Sequence, residues 1–347
     1  MRLVKKNTQV LEKCYSIAEL SYKGERHIVV AAEKVNNCLL LSLDGDLEDV
    51  IWSEPGGTMS LVPLEDRDGC FLATQKMYSP NDSKEAKIVF VSPKEEGGWN
   101  VDLVSEVPFV HRFDVLKAAD GTRYLIGSTI KSAHEYKEDW RFPGQYLAAK
   151  LPEDFGPGVT VKLEVVKAGL LRNHGYIRRK DKDGDYSVIS SDNGVFEMHP
   201  PVAAGGEWKT VQLTSDPTSD ICFVDFDGDG KDEMIALSPF HGDTLALYHQ
   251  KDDGTYGKIF ELEEKKPFLH SLFAGVVQGK PVAIIGHRKG ESRDLLGFTY
   301  SDGKLAYEVL DKDSGSTNVM YYRNGEKDML VSANREINEI AFYEIEV

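Results

Sequence analysis

Leu269-His270-Ser271-Leu272, a tight glycine turn and the apolar run Pro281-Val282-Ala283-Ile284-Ile285 form one copy of a unit that recurs along the whole chain. Each copy enters a first strand through a small or polar residue, turns at a glycine, and returns as an apolar second strand with a polar end. Two further strands follow. The other copies open at Cys14-Tyr15-Ser16-Ile17, Thr58-Met59-Ser60-Leu61, Val110-His111-Arg112-Phe113, Asn173-His174-Gly175-Tyr176, Thr218-Ser219-Asp220-Ile221 and Ser316-Thr317-Asn318-Val319. Their starts lie 44, 52, 63, 45, 51 and 47 residues apart. Four antiparallel strands in ~40–50 residues are what a β-propeller blade requires, and seven copies predict an all-β, seven-bladed propeller. The last copy has only 32 residues. Residues 1–13 therefore supply its missing outer strand and close the ring, which leaves no sheet edge unpaired.

The rest of the sequence agrees with this reading. Amphipathic helical stripes are absent, and short β-rich runs such as Lys87-Ile88-Val89-Phe90-Val91 alternate with Gly-Asp and Asp-Gly turns. A two-domain division near Pro152–Pro157 is the competing reading. Asp plus Glu (57) exceed Lys plus Arg (41), giving a net charge of −16. That balance argues against duplex nucleic acid and anionic membrane as partners, because both need clustered cations. No apolar run reaches the ~18–20 residues of a spanning helix, and the first residues lack the ~7–15-residue apolar stretch of a secretory signal. Cys14, Cys38, Cys70 and Cys222 show no CxxC spacing and are expected as buried thiols. The expectation is an acidic, soluble, cytoplasmic protein.

Within a blade, the start of the first strand and the end of the second share one face of the ring. Five of the nine histidines fall at such positions. His111, His174 and His270 are each second in their unit, while His241 and His287 end second strands. Arg112, Asp220, Asn318, Asn334 and Arg335 reach the same rim, with Gln75 and Lys76 in the second blade and Glu33 and Lys34 in the first. Imidazoles, carboxylates and guanidiniums converging on one funnel offer metal ligands, general bases and anion clamps together. For a single histidine, the competing reading is a residue that hydrogen-bonds between blades. His27, His134, His199 and His249 are left unassigned. The long third unit carries the insertion 131–144, whose Trp140 either stacks on a sugar ring or packs the loop down. Phosphate-loop, GxSxG and HExxH motifs are absent.

The sharpest short motif is Val224-Asp225-Phe226-Asp227-Gly228-Asp229-Gly230-Lys231-Asp232-Glu233. Alternating Asp225, Asp227 and Asp229, a turn at Gly230 and a closing Glu233 suit a hard cation such as calcium. A metal-free acidic turn is the alternative. The flanking strands and the early glutamate exclude an EF-hand. This loop resembles the aspartate-rich hairpin of the FG-GAP and VCBS repeat propellers. With Asn173-His174-Gly175, Phe240-His241-Gly242-Asp243, Leu269-His270-Ser271 and Gly286-His287-Arg288, it also resembles the propeller domain of the aldos-2-ulose dehydratases. That resemblance implies a divalent metal (zinc, manganese or magnesium) in the funnel, carried here by His174, His241 and His287. It also implies loss of water from a keto-sugar. The cupin domains of the larger enzymes have no counterpart.

The resulting expectation is a metal-dependent carbon–oxygen lyase acting on a small carbohydrate. His111 or His270 would act as base, and Arg112, Arg288 or Arg335 would stabilise developing negative charge. Gln75, Asp220, Asn318, Asn334 and Trp140 are the expected substrate contacts. The alternative from another class is a non-catalytic propeller that binds carbohydrate or protein and carries a structural calcium. Glycoside hydrolysis by Glu33 and Asp220 is a third possibility.

Overall fold

The computed structural model describes residues 1–35, 37–202, 205–301 and 303–346. Its strands form seven four-stranded antiparallel sheets, six of them built from four consecutive strands. The innermost strands are Cys14–Tyr22, Leu61–Pro63, Val110–Lys117, Gly175–Asp181, Asp220–Val224, Leu269–Val277 and Asn318–Asn324. The seventh sheet closes the ring: Arg2–Val10 pairs with Glu339–Glu346, from Arg2 opposite Glu346 to Val10 opposite Glu339, with a one-residue register shift between Lys5 and Asn7. Among the described residues the only helix is a single 3-10 turn, Arg335–Ile337. Among the described residues no helix is long and apolar enough to cross a membrane. The stretch 152–157 lies inside the third sheet, between Gly144–Lys150 and Glu164–Leu170, so no boundary falls there.

Packing explains the sequence pattern. Second strands such as Lys280–His287 and Phe71–Gln75 are sandwiched between neighbouring blades, so they read as continuous apolar runs. Outer strands such as Trp99–Glu106 are partly exposed, Asn100, Val101, Leu103 and Glu106 facing water. Apolar residues form one cluster at every seam between adjacent blades. Cys222, Ile235 and Leu247 meet Leu269, Ile285 and Phe298 at one seam. At the seam that closes the ring, Ile28, Val30 and Leu41 meet Val331 and Phe342. The four cysteines are unpaired; Cys14, Cys38 and Cys222 are buried, whereas Cys70 is only half-buried.

The backbone carries its own repeat. Six of the seven residues that precede a unit are left-handed: Lys13, Gly57, Phe109, Arg172, Phe268 and Gly315, with φ between 51° and 79°. The seventh is Pro217, whose ring forbids that conformation. This kink turns the chain from the outer strand of one blade into the inner strand of the next. It costs roughly 1–2 kcal/mol at each non-glycine position.

Candidate functional site: a histidine cluster on the propeller axis

Just after that kink, the second residue of several units is a β-bulge. Cys14 pairs with Ala32 and Ser16 with Ala31, so Tyr15 is left out of the ladder. His111 is skipped between Val110 and Arg112, and His270 between Leu269 and Ser271. A bulge bends the strand and re-aims the extra side chain. Here it aims at the propeller axis. Beside His174, Gly175 allows close approach of the next blade, since a Cβ there would lie 2.7 Å from Asp220 Cα.

The three second-position histidines tie adjacent blades together. His111 Nδ1 lies 3.2 Å from the carbonyl of His174, and His174 Nδ1 lies 3.2 Å from that of Ser219. His270 Nδ1 lies 2.8 Å from the carbonyl of Thr317. A carbonyl only accepts, so each Nδ1 carries the proton and each Nε2 keeps a lone pair. The inter-blade bond and the functional reading therefore coexist on one ring. A backbone carbonyl on the far nitrogen is also the usual support for a metal-ligating histidine.

His174 Nε2 is buried and has no protein partner. His270 Nε2 lies 3.2 Å from Tyr15 Oη, which donates to it. One nitrogen from each of His174, His241 and His270 lies within 4.8 Å of the other two. His241 reaches the group from the turn after a second strand, in a left-handed conformation with φ 49°. Its ring is sandwiched between Phe240 and Phe268, with centroids 3.9 and 4.4 Å away. Trp140 packs edge-on against Phe240 at 5.6 Å, so it buttresses this cap and its ring is not free to stack on a ligand. Lys131 Nζ, 4.0 Å over the Trp140 ring, pins the insertion from beneath.

Burial holds His111, His174 and His270 well below the ordinary imidazole range, helped by Arg112, by the neighbouring histidines and by Arg288 respectively. Burial pushes His241 down to about 3, with Arg288 and Lys289 adding to it. All four rings are neutral at pH 7. Burial acts oppositely on Asp220, which rises to about 6 against the pull of Arg112. The unfolded chain protonates its histidines near pH ~6.5 and the folded chain does not, so their stabilisation is present above that pH and lost below it. The raised Asp220 contributes in the opposite sense, its stabilisation fading as pH rises towards 6. The imidazoles outnumber it. Urea denaturation should show lower stability at pH ~5 than at ~7, and His111→Asn should flatten the profile by up to about 1.4 kcal/mol per pH unit.

Several expected site residues stand elsewhere. His287 pairs across the strands with Leu269, the residue before the bulge, and so misses the axis. Its Nδ1 meets Lys289 O at 3.1 Å and its Nε2 accepts the Asp294 N–H at 3.1 Å, a backbone donor that cannot turn away as the Tyr15 hydroxyl on His270 can. His270 occupies its place in the cluster. Arg288 gives Nε and Nη2 to Glu336 at 3.0 and 2.7 Å. Arg335 bonds Glu336 through Nη1 and Glu33 through Nε. Both guanidiniums are thus spent on a rim network, and Glu33 is not free for glycoside hydrolysis. Asn334 bonds Glu339 at 2.9 Å inside its own blade. Gln75 is buried with an unpartnered Nε2 and lines neither axial cavity.

The open path lies beneath the histidines. A cavity of 240 Å³ is lined by Arg112, Tyr176, Asp220, His270 and Asn318, together with residues deeper on the inner strands. A second, of 210 Å³, shares Arg112, Tyr176 and Asn318 and extends to Asp114 and Arg178. Arg178 also lines spaces of 590 and 800 Å³ beside Glu65 and Asp66, at the ends of inner strands. The axial channel therefore leads away from the mouth that carries the insertion, which the aromatic cap covers.

At that far end lies the acidic loop. Oxygens of Asp225, Asp227 and Asp229 lie within 4.8 Å of one another. Asp225 accepts the N–H groups of Gly228 and Gly230 at 2.7 and 3.0 Å. Glu233 is turned inward, accepting from Phe226 N–H and bonding His249 Nδ1 at 2.8 Å. Tyr15, Phe240, Phe268 and His249 were not assigned from sequence, although Tyr15 occupies the same second position as the histidines.

No protein-family model matches the chain, and no curated protein matches it. The FG-GAP, VCBS and aldos-2-ulose dehydratase resemblances gain no support from those comparisons. Solved structures do match over the full length. The β-propeller domain of Cps50 (Swd1) from Myceliophteria thermophila has 9% identity and a TM-score of 0.63, covering 99% of this chain and 100% of that one. BBS1N, crystallised with ARL6DN, has 13% identity and a TM-score of 0.58, covering 100% and 98%. A glucose dehydrogenase has 14% identity and a TM-score of 0.50, covering 100% of both. At such identities the likeness establishes the seven-bladed propeller fold and nothing finer.

Proposed function

We propose that His174, His241 and His270 hold a divalent metal on the propeller axis, and that the protein is a carbon–oxygen lyase acting on a small sugar derivative. One observation carries this reading: three neutral imidazoles, two buried and one half-buried, bring a nitrogen each within 4.8 Å of the others, and in His174 and His270 the backbone bond on Nδ1 leaves the lone pair on Nε2. An all-imidazole set suits zinc better than manganese or magnesium, which prefer oxygen. A bound divalent ion supplies Lewis acidity towards a carbonyl or enolate oxygen.

The chain's own groups do the rest. Asp220 takes the proton from the carbon next to the substrate carbonyl. The C–H electron pair becomes the new double bond as the C–O bond on the neighbouring carbon breaks. The leaving hydroxide takes the proton that Asp220 has accepted, so water departs and Asp220 returns to its carboxylate form. Tyr15, pushed up to about 12 by burial, keeps its proton at neutral pH. With a metal on His270 Nε2, its hydroxyl would turn from that ring and donate to the substrate. Arg112 offsets the negative charge that develops. Calcium in the far loop is part of the proposal as a structural ion held by Asp225, Asp227 and Asp229, with Glu233 engaged by His249. To test the reading, zinc-loaded protein is incubated with keto-sugars and enone absorbance is followed. Turnover that is lost with His174→Ala supports a lyase. Zinc binding without turnover on any carbonyl sugar favours the non-catalytic, carbohydrate-binding alternative.

A further inference from the structure

We propose that the ligand of the axial chamber is a small hydroxy acid, its carboxylate paired with Arg112. The inference deepens the lyase reading and rests on it for the identity of the chamber as the substrate site. Arg112 lines both axial cavities, and its side chain is only 16% exposed. A guanidinium carries five N–H donors in a planar fork. Nη1 donates to Met59 O at 3.1 Å. Nη2 lies 3.9 Å from Asp220 Oδ2, too far for a hydrogen bond. Nε is buried with no partner at all. Arg178, at the channel entrance, is by contrast engaged with Asp114 at 3.4 Å and half-exposed. Arg288 and Arg335 are each engaged by carboxylates, Glu336 and Glu33, and line neither axial cavity. Arg112 is therefore the cation facing the chamber with donors to spare.

An under-used, desolvated guanidinium is costly, and a carboxylate that accepts two parallel N–H bonds is the group that matches its fork. Asp220, 3.9 Å away, balances the charge without filling the fork, and a neutral sugar has no planar pair of acceptors to fill it. Hydroxyls find partners on the same walls, in Asn318 Oδ1, Asp220 and the Tyr176 hydroxyl. A cavity of 240 Å³ is about eight times the share of one water in the liquid, room for four to six carbons and their oxygens. Arg112 is a positioning residue for the acid group. Nothing in the argument requires it to move a proton.

Calorimetric titration of the full chain tests this with D-gluconate against D-glucitol, tartrate against threitol, and inorganic phosphate as an unspecific anion. At least one acid should bind tenfold or more tightly than its matched alcohol and more tightly than phosphate. Arg112→Gln should erase the preference, and Arg112→Lys, which keeps the charge but not the fork, should retain only part of it. Equal affinity for acids and alcohols in the unmodified protein would overturn the inference, whether or not the variants fold. So would an acid preference that survives Arg112→Gln. The lyase reading fails separately: acid selectivity without zinc binding or turnover rejects the lyase alone. Zinc-dependent turnover of neutral keto-sugars without acid selectivity rejects only the carboxylate.

Discussion

His174→Ala should reduce zinc affinity by well over the 10–100-fold that loss of an outer-shell partner typically costs. His174 is one corner of a near-equilateral triangle of rings, with centroids 5.0 Å from His241 and 5.6 Å from His270, which are 5.6 Å apart, and its Nε2 has no other partner to serve. Because the Nδ1 proton is already committed to Ser219 O, zinc displaces no proton from the neutral ring and pays little to orient it. Metal bound only to the folded chain stabilises it by about 2.7 kcal/mol at a hundredfold excess over Kd, so added zinc should raise the melting temperature of the parent protein and not of the variant. His287→Ala is the matched control. Both of its nitrogens are bound to backbone atoms of the loop 287–294, so its loss should loosen that loop and leave zinc affinity intact. Equal losses in the two variants would restore the ligand set expected from sequence and remove the one seen in the fold.

Glu33→Ala should produce the largest loss of stability, about 3–5 kcal/mol, because it strands a buried guanidinium. Glu33 and Arg335 are each 8% exposed and bridge the first and last blades. Arg335 would be left with Glu336, which already accepts twice from Arg288. Two cations would then share one carboxylate at the seam where the ring closes. The double variant Glu33→Ala, Arg335→Met removes the stranded charge and should recover much of the loss. Urea denaturation of the single and double variants measures both. An additive loss would show that the pair contributes no more than two surface groups.

The ring was legible because every blade repeats the same physical demands. A second strand packed on both faces must be apolar, and the hairpin before it must turn sharply. The second position of the unit was legible for the same reason, and it delivered His111, His174 and His270 to the axis. His287 was misread because reaching the right face does not fix direction. Its partner in the ladder is Leu269, and only the bulge at His270 redirects a side chain inward. The left-handed kink was hidden because Lys13, Phe109, Arg172 and Phe268 occupy it where glycine would have marked it. His249 was missed because its link to Glu233 comes from strand register, with Met234 opposite Tyr248, and not from spacing within the loop. The direction of the channel depends on three stacked rings, Phe240, His241 and Phe268, from two loops about 30 residues apart in sequence. No periodicity announces such a meeting.

Anomalous diffraction at the zinc edge, from crystals of the full chain grown with one equivalent of zinc, tests the central claim most directly. A single strong peak between the rings of His174, His241 and His270, at ~2.0–2.1 Å from three nitrogens, is the expected result. A zinc ion bound instead at Asp227, Glu233 and His249, with nothing on the axis, would contradict it.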